Sequence, residues 1–274
     1  MAVNGSGHFS LDNRELSGQF PRTPFLRASR IMTVRWLWRL RRDKPEFVAS
    51  LVQPVVWLLL FGNLFTNVVS VAQTSYIAFM TAGVVVMTVF NETLGGGIEI
   101  LFDRESGVLQ RLMAAPIPTS SIVASRLSFV LIVSCVQSLI ILGLAQVLGV
   151  GLASGFLGLI LILTIGVVFG VGIMSASMAM AFGLRGHEQF FSITGLVSLP
   201  ILFVSSALVP ESVMPLWLRQ AAMFNPLTYA IDGTRQLILQ GISLTQLSSV
   251  FLVIAVFDVC MFGLAVWTLK RHQE

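Results

Sequence analysis

Six apolar stretches, each long enough to cross a bilayer as a helix, constrain this chain more than any other feature of its sequence. They fall at about 47–67, 76–98, 122–148, 156–184, 190–209 and 247–269. A hydrocarbon core of about 30 Å needs ~20 helical residues, and every stretch meets that length. Hydrophobic residues make up 55% of the chain and charged ones 11%, with a mean hydropathy of +0.86. A soluble domain carries about 25% charged residues, so one aqueous core could not hide this much apolar surface. Alternation over ~10-residue strands is nowhere visible, which excludes a β-barrel as the spanning form. The expected fold class is an all-α membrane protein with six transmembrane helices. Pro54 and Pro200 fall inside spans, where neighbouring helices can satisfy the carbonyls they free.

Charge orients the bundle. Nine of the 17 Lys and Arg precede the first span: Arg14, Arg22, Arg27, Arg30, Arg35, Arg39, Arg41, Arg42 and Lys44. Arg104, Arg111 and Arg126 lie in or beside the loop joining spans two and three, and Arg185 begins the loop after span four. Lys270 and Arg271 close the last span, leaving only Arg219 and Arg235 on the other side. The positive-inside rule then puts both termini in the cytoplasm of a multi-pass protein, as an even number of spans requires. A pI near 9.7 reflects this topology and attraction to anionic lipid rather than a nucleic-acid surface.

Two segments belong to no span. Over 24–44, Leu26, Met32, Trp36, Leu37 and Leu40 share one helical face while six arginines crowd the other. That pattern predicts an N-terminal amphipathic helix lying in the headgroup plane. Residues 210–240 are apolar but broken by Pro210, Pro215 and Asn225-Pro226, leaving pieces too short to span. They predict a re-entrant helical hairpin at the outer face before the last span. Residues 1–24 are polar and read as a disordered cytoplasmic lead. Residues 25–274 form a single transmembrane domain.

Little in the chain points to catalysis. Nothing matches GxxxxGK[ST], GxSxG or HExxH, and His8, His187 and His272 have no ligand spacing. No metal site and no catalytic residues are expected. Cys135 and Cys260 sit in apolar runs and read as small buried hydrophobes. Gly95-Gly96-Gly97 near the inner end of span two predicts close helix contact or a local bend. Gly166-x-x-x-Gly170 and Ala179-x-x-x-Gly183 in span four allow close helix approach, within the bundle or at a dimer seam. Intramembrane carboxylates are costly and commonly functional. Glu92 and Glu99, seven apart on one face of span two, and Asp258 midway along span six are the candidates, as proton relays or as structural pairs.

The loop at 103–121 is charged at its start, then places Val108, Leu109, Leu112 and Met113 at helical spacing before Pro116 and Pro118. A short amphipathic helix there must dock on its own bundle or on a partner. The run from Arg104 to Pro118 (RESGVLQRLMAAPIP) resembles the signature of type-2 ABC exporter permeases. Phe224 to Arg235 (FNPLTYAIDGTR) is similar to the same family's element before the last span, with Asn225, Pro226, Tyr229 and Arg235 in the matching places. The resemblance extends from about residue 25 to the end and is nearest to the daunorubicin-resistance and nodulation-type branch.

The resemblance implies a homodimer in the bacterial plasma membrane, bound to two copies of a separate ABC ATPase that holds ATP and Mg. This chain would bind no cofactor of its own and would not be an enzyme. It also implies that Glu105, Gly107, Leu109, Arg111, Leu112 and Pro116 form the coupling element seated in that ATPase. Arg185, Gly186, His187 and Glu188 would make a shorter second contact. Export of an amphipathic drug, lipid or glycolipid follows as the expected function. A proton-coupled secondary transporter using Glu92, Glu99 and Asp258 is the alternative, and a non-transporting membrane scaffold a third.

Overall fold

The computed structural model describes residues 23–42, 44–64, 75–115 and 117–271. These are helices joined by short turns, with no strand among the described residues. In chain order they are α1 (Phe25–Arg42), α2 (Lys44–Val56), α3 (Tyr76–Gly95), α4 (Ile98–Glu105), α5 (Val108–Ala114) and α6 (Thr119–Val147). There follow α7 (Gly155–Gly183), α8 (His187–Phe203), α9 (Leu216–Ala222), α10 (Pro226–Leu239) and α11 (Leu244–Arg271). Helix α2 runs on through a π-helical turn, Trp57–Phe61, into Gly62–Leu64. That turn closely follows Pro54, which lacks an N–H to continue the regular ladder.

Among the described residues, four helices are long and apolar enough to cross a membrane: Tyr76–Glu105 counted as one, Ser120–Val147, Gly155–Gly183 and Leu244–Thr268. The pair Phe25–Arg42 and Phe47–Phe61, bent by 74°, makes a fifth if taken as one span. The expected stretch at 190–209 is helical only as far as Phe203 and begins earlier, at His187. Serine chemistry explains the early stop. Ser205 Oγ donates to Leu202 O at 2.6 Å and Ser206 Oγ to Asp232 Oδ1 at 2.7 Å, drawing the chain out of the helix. Residues 1–22 of the expected lead, 65–67 of the expected first span and Pro116 lie outside the described residues.

Helix α3 is the axis of the bundle. Residues 78–90 are buried without interruption, because α6, α7 and α10 enclose it. Its lower end meets α7 at the glycine cluster. Gly97 N–H donates to Ser177 Oγ at 2.9 Å, and a Cβ on Gly97 would come within 2.6 Å of the Ser177 carbonyl oxygen. The cluster thus permits close contact, and the turn at Gly96–Gly97 separates α3 from α4. Gly166 and Gly170 face Val89, Thr93 and Leu131, so this pair packs within the chain, whereas Gly183 faces open space. Helix α11 lies along α7 with one flank uncovered, and Cys260, expected to be buried, is exposed there. Cys135 is half-buried.

Helix α1 packs its apolar stripe on α6. Met32 and Trp36 are buried, with Leu37 and Leu40 partly so, and Thr33 Oγ1 donates to Ser125 O at 3.3 Å. Leu26, assigned to that face by periodicity, is 79% exposed because the stripe leaves α6 before reaching it.

Adding one methyl at Gly97 overpacks a contact that has no slack, and we expect Gly97→Ala to cost about 1–3 kcal/mol. Thermal unfolding of the purified protein in detergent should show a lowered Tm. Gly183→Ala, in open space, should leave Tm unchanged or raised.

Candidate functional site

The end of the bundle carrying α4, α5 and the start of α8 gathers most of the expected coupling residues. Helix α4 ends at Glu105, and Gly107 turns the chain into α5 with φ +71°, a left-handed value that glycine adopts without a Cβ penalty. Glu105 reaches across to the start of α8. Its Oε1 accepts from the His187 backbone N–H at 3.0 Å and its Oε2 lies 2.8 Å from His187 Nδ1. The carboxylate thereby satisfies an N–H of α8's first turn that has no intrahelical partner.

Arg104 makes the complementary contact at the end of α7. Its guanidinium donates to Leu184 O at 2.6 Å, Arg185 O at 3.3 Å and Ala181 O at 3.4 Å. These are carbonyls of a helix's last turn and the residues after it, which need donors from elsewhere. Arg104 and Glu105 therefore fasten the first loop to the second. The two sets of residues expected from sequence, Glu105 with Gly107 and Arg185 with His187, form one surface. Glu188 is exposed in the first turn of α8 and Arg111 is exposed on α5, while Leu112 is half-buried. The side chain of Leu109 lies outside the described residues. Sequence reading took Arg104 as a topological charge and as the first residue of the family-like run, without a partner; its position 80 residues before the carbonyl it caps leaves no local signal.

The carboxylates do not meet in one place. Glu99 pairs with Arg126 at 3.6 Å, and the Arg126 guanidinium stacks 4.6 Å from the Trp36 ring centroid, clamping α1 to α6. Glu92 Oε2 accepts from Gln137 Nε2 at 3.1 Å. Asp258 sits apart, its carboxyl pressed on Gly172 of α7 where a Cβ would collide.

At the opposite end, Asn225 caps α10 by accepting from Leu227 N–H at 3.0 Å and donates to Ile201 O at 2.7 Å. Pro226 occupies the first turn, where its missing N–H is harmless. Tyr229 OH donates to Met223 O at 2.9 Å, tying α10 back to the turn after α9. Arg235 donates to Asp232 Oδ1 at 2.8 Å and Ser206 O at 2.6 Å, and its guanidinium lies 3.8 Å from the Phe79 ring centroid. The far end of α10 is joined to the α6–α7 turn by Ser154 Oγ donating to Leu237 O at 2.6 Å. Asp232 and Ser206, which complete the arginine's surroundings, were not among the residues singled out from sequence.

Residues 27–239 match the ABC-2 type transporter family. The chain belongs to that family. Its relatives include the putative transport permease ycf38 of Porphyra purpurea, 39% identical over 71% of this chain and 68% of the relative. The ycf38 protein of Pyropia yezoensis is 36% identical over 75% and 72%. The daunorubicin resistance ABC transporter permease protein DrrB1 of Streptomyces coeruleorubidus is 28% identical over 75% and 74%. The chain is thus a membrane-embedded ABC-2 permease, matching the daunorubicin-resistance branch, and the family implies an ABC ATPase as its partner.

Lysine keeps the charge at 235 but loses the planar fork and the ring stack. We expect Arg235→Lys to destabilise the fold by about 1–3 kcal/mol, read as a lower Tm, with Asp232→Asn falling in the same direction.

Proposed function

We propose that this chain is the transmembrane subunit of a homodimeric ATP-driven exporter in a bacterial plasma membrane, with both termini cytoplasmic. In this reading six spans are formed by α2, by α3 with α4, by α6, α7 and α8, and by α11. Helix α1 lies at the cytoplasmic interface, and α9 with α10 forms a re-entrant hairpin at the outer side. The hairpin reading is supported by the lengths of α9 and α10, 7 and 14 residues, both too short to cross ~30 Å. Its outer placement is supported by the bond between the end of α10 and the α6–α7 turn, far from α5.

The observation that carries the functional reading is the fastening of α4 to the end of α7 by Arg104 and to the start of α8 by Glu105. An ATPase that closes on ATP must push on something that does not yield. A docked helix on a hinge would absorb the motion, whereas α5 continues from an element bonded to two long helices. A ligand-driven switch requires contacts that differ between its two states, and a face built from α5 and the start of α8 offers them. Glu105, Gly107, Leu109, Arg111, Leu112 and Pro116 would form the main contact, with Arg185, His187 and Glu188 beside it. ATP and Mg would be held by two copies of the partner, since this sequence carries no phosphate-binding loop. The cargo class we favour is an amphipathic drug, lipid or glycolipid, in line with the daunorubicin-resistance relative. The separation of Asp258 from Glu92 and Glu99 weighs against a proton relay through all three.

The test is co-purification. With Leu109→Glu and Leu112→Glu combined, the tagged permease is expected to lose its ATPase while remaining in the membrane; full retention would refute the docking surface. In a transport assay of the permease–ATPase complex, Asp258→Asn should leave ATP-dependent export intact, and its abolition would favour the proton-coupled alternative.

A further inference from the structure

At the end of the bundle away from α5, a cavity of about 340 Å³ lies between α10 and the start of α11, a volume within the range of small-molecule sites. Tyr229, Asp232, Gly233, Gln236 and Gln240 line it from one side. At helical spacing they share an arc of about 100°. Gln246 and Ser249, three apart on α11, line the other side. Gly233 sets how near the helices come, since a Cβ there would stand 3.0 Å from Val250 Cγ1. Two polar stripes thus face each other across a gap that neither fills.

Two buried donors among its lining residues, Gln236 Nε2 and Arg235 Nε, have no hydrogen-bond partner among the described residues. Gln236 is only 7% exposed. Were its amide turned over, the oxygen would be the atom left unpaired. A ligand that serves Gln236 in either orientation must both donate and accept, as a hydroxyl does. Asp232 adds an acceptor. Its Oδ1 takes bonds from Ser206 Oγ and Arg235 Nη1, yet the side chain is still 40% exposed, leaving Oδ2 to the cavity. Tyr229 is held by the bond from its hydroxyl to Met223 O, which fixes its ring as an apolar patch on the wall.

Charge does not select the ligand. Arg235 is balanced by Asp232 at 2.8 Å, and Glu211 acts on both. Between residues 204 and 250, Glu211 and Asp232 offset Arg219 and Arg235. Both terminal nitrogens of the Arg235 guanidinium are engaged, by Asp232 Oδ1 and Ser206 O, so an anion finds no open fork. An ammonium would meet the guanidinium, and an apolar tail would leave Gln236 unpaired.

We propose that this cavity binds an uncharged, polyhydroxylated headgroup such as a hexose ring, carried by the cargo or by an outer-leaflet lipid. Its hydroxyls pair with Gln236, with Asp232 and with the exposed amides of Gln240 and Gln246, while its C–H face lies on Tyr229. The assignment deepens the transport reading and rests on it for the side of the membrane to which the cavity opens.

The permease–ATPase complex is placed in phosphatidylcholine nanodiscs and titrated with a dansyl-tagged dodecyl chain ending in a glucosyl group. The same chain ending in a permethylated glucosyl group, an ammonium or a phosphate serves for comparison. The glucosyl probe should bind saturably and at least about tenfold more tightly than the other three, as expected where the wrong ligand leaves buried polar groups unpaired. Gln236→Met should weaken that binding at least about tenfold while Tm stays the same or rises, because the variant removes an unpaired buried amide. Ser249→Leu, at an exposed position, should obstruct the cavity and weaken binding with Tm unchanged. Faster ATP hydrolysis on binding would assign the headgroup to the cargo, and binding without it would assign the headgroup to a lipid; either supports the site. Equal binding of the four probes, a preference for a charged one, or an affinity untouched by both variants would overturn the proposal. A complex that hydrolyses ATP but is indifferent to the glucosyl group would sink this site and spare the transport reading. Glucosyl-selective binding by a chain that recruits no ATPase would do the reverse.

Discussion

A helix that is apolar all round can be buried on every side only if other helices come close enough to leave no gap, and α3 is such a helix. Lipid tails are as apolar as its valines and methionines, so the hydrophobic effect does not draw the bundle together within the bilayer; close packing and hydrogen bonds do. That demand explains the glycines. Gly97 admits Ser177, Gly170 admits Thr93 and Leu131, and Gly83 brings the Ala207 carbonyl to where a Cβ would stand. Each is a place where α3 or its neighbour gives up a side chain so that backbones can approach. The rest of the molecule is arranged around the helix so enclosed.

The polar chemistry divides between the two ends and the middle. At the α4–α5 end, Arg104 and Glu105 satisfy the open backbone groups of two helix termini. At the other end Arg235 is surrounded by Asp232, Ser206 and Phe79, so this buried cation locks α10 to α3. In the middle, Gln137 and Glu92 form a network with one acceptor left over.

Much of this was legible in the sequence because it depends on length, periodicity and steric exclusion. Long apolar runs gave α3, α6, α7 and α11 within a few residues, and Gly95–Gly97 marked a close contact before its partner was known. The end of α8 was not legible. Hydropathy continues to 209, but the stop at Phe203 is made by two serine hydroxyls, one of which bonds a carboxylate 26 residues away. The same limit hid Arg104, whose partners are 77 to 81 residues distant. Periodicity assigned Leu26 to the buried face of α1, yet burial depends on where α6 lies, which no single-helix pattern contains. The candidate coupling residues were found through a motif; their union into one surface came from the fold.

The central claim is that the face built by α5 and the start of α8 is covered by an ATPase partner. The direct measurement is maleimide labelling of Arg111→Cys, an exposed position on α5, in a chain whose native Cys135 and Cys260 have been replaced. Membranes carrying the permease alone are compared with membranes carrying the permease and its ATPase. The account predicts that position 111 labels readily when the permease is alone and is protected when the ATPase is present. Equal labelling in the two membranes would contradict it.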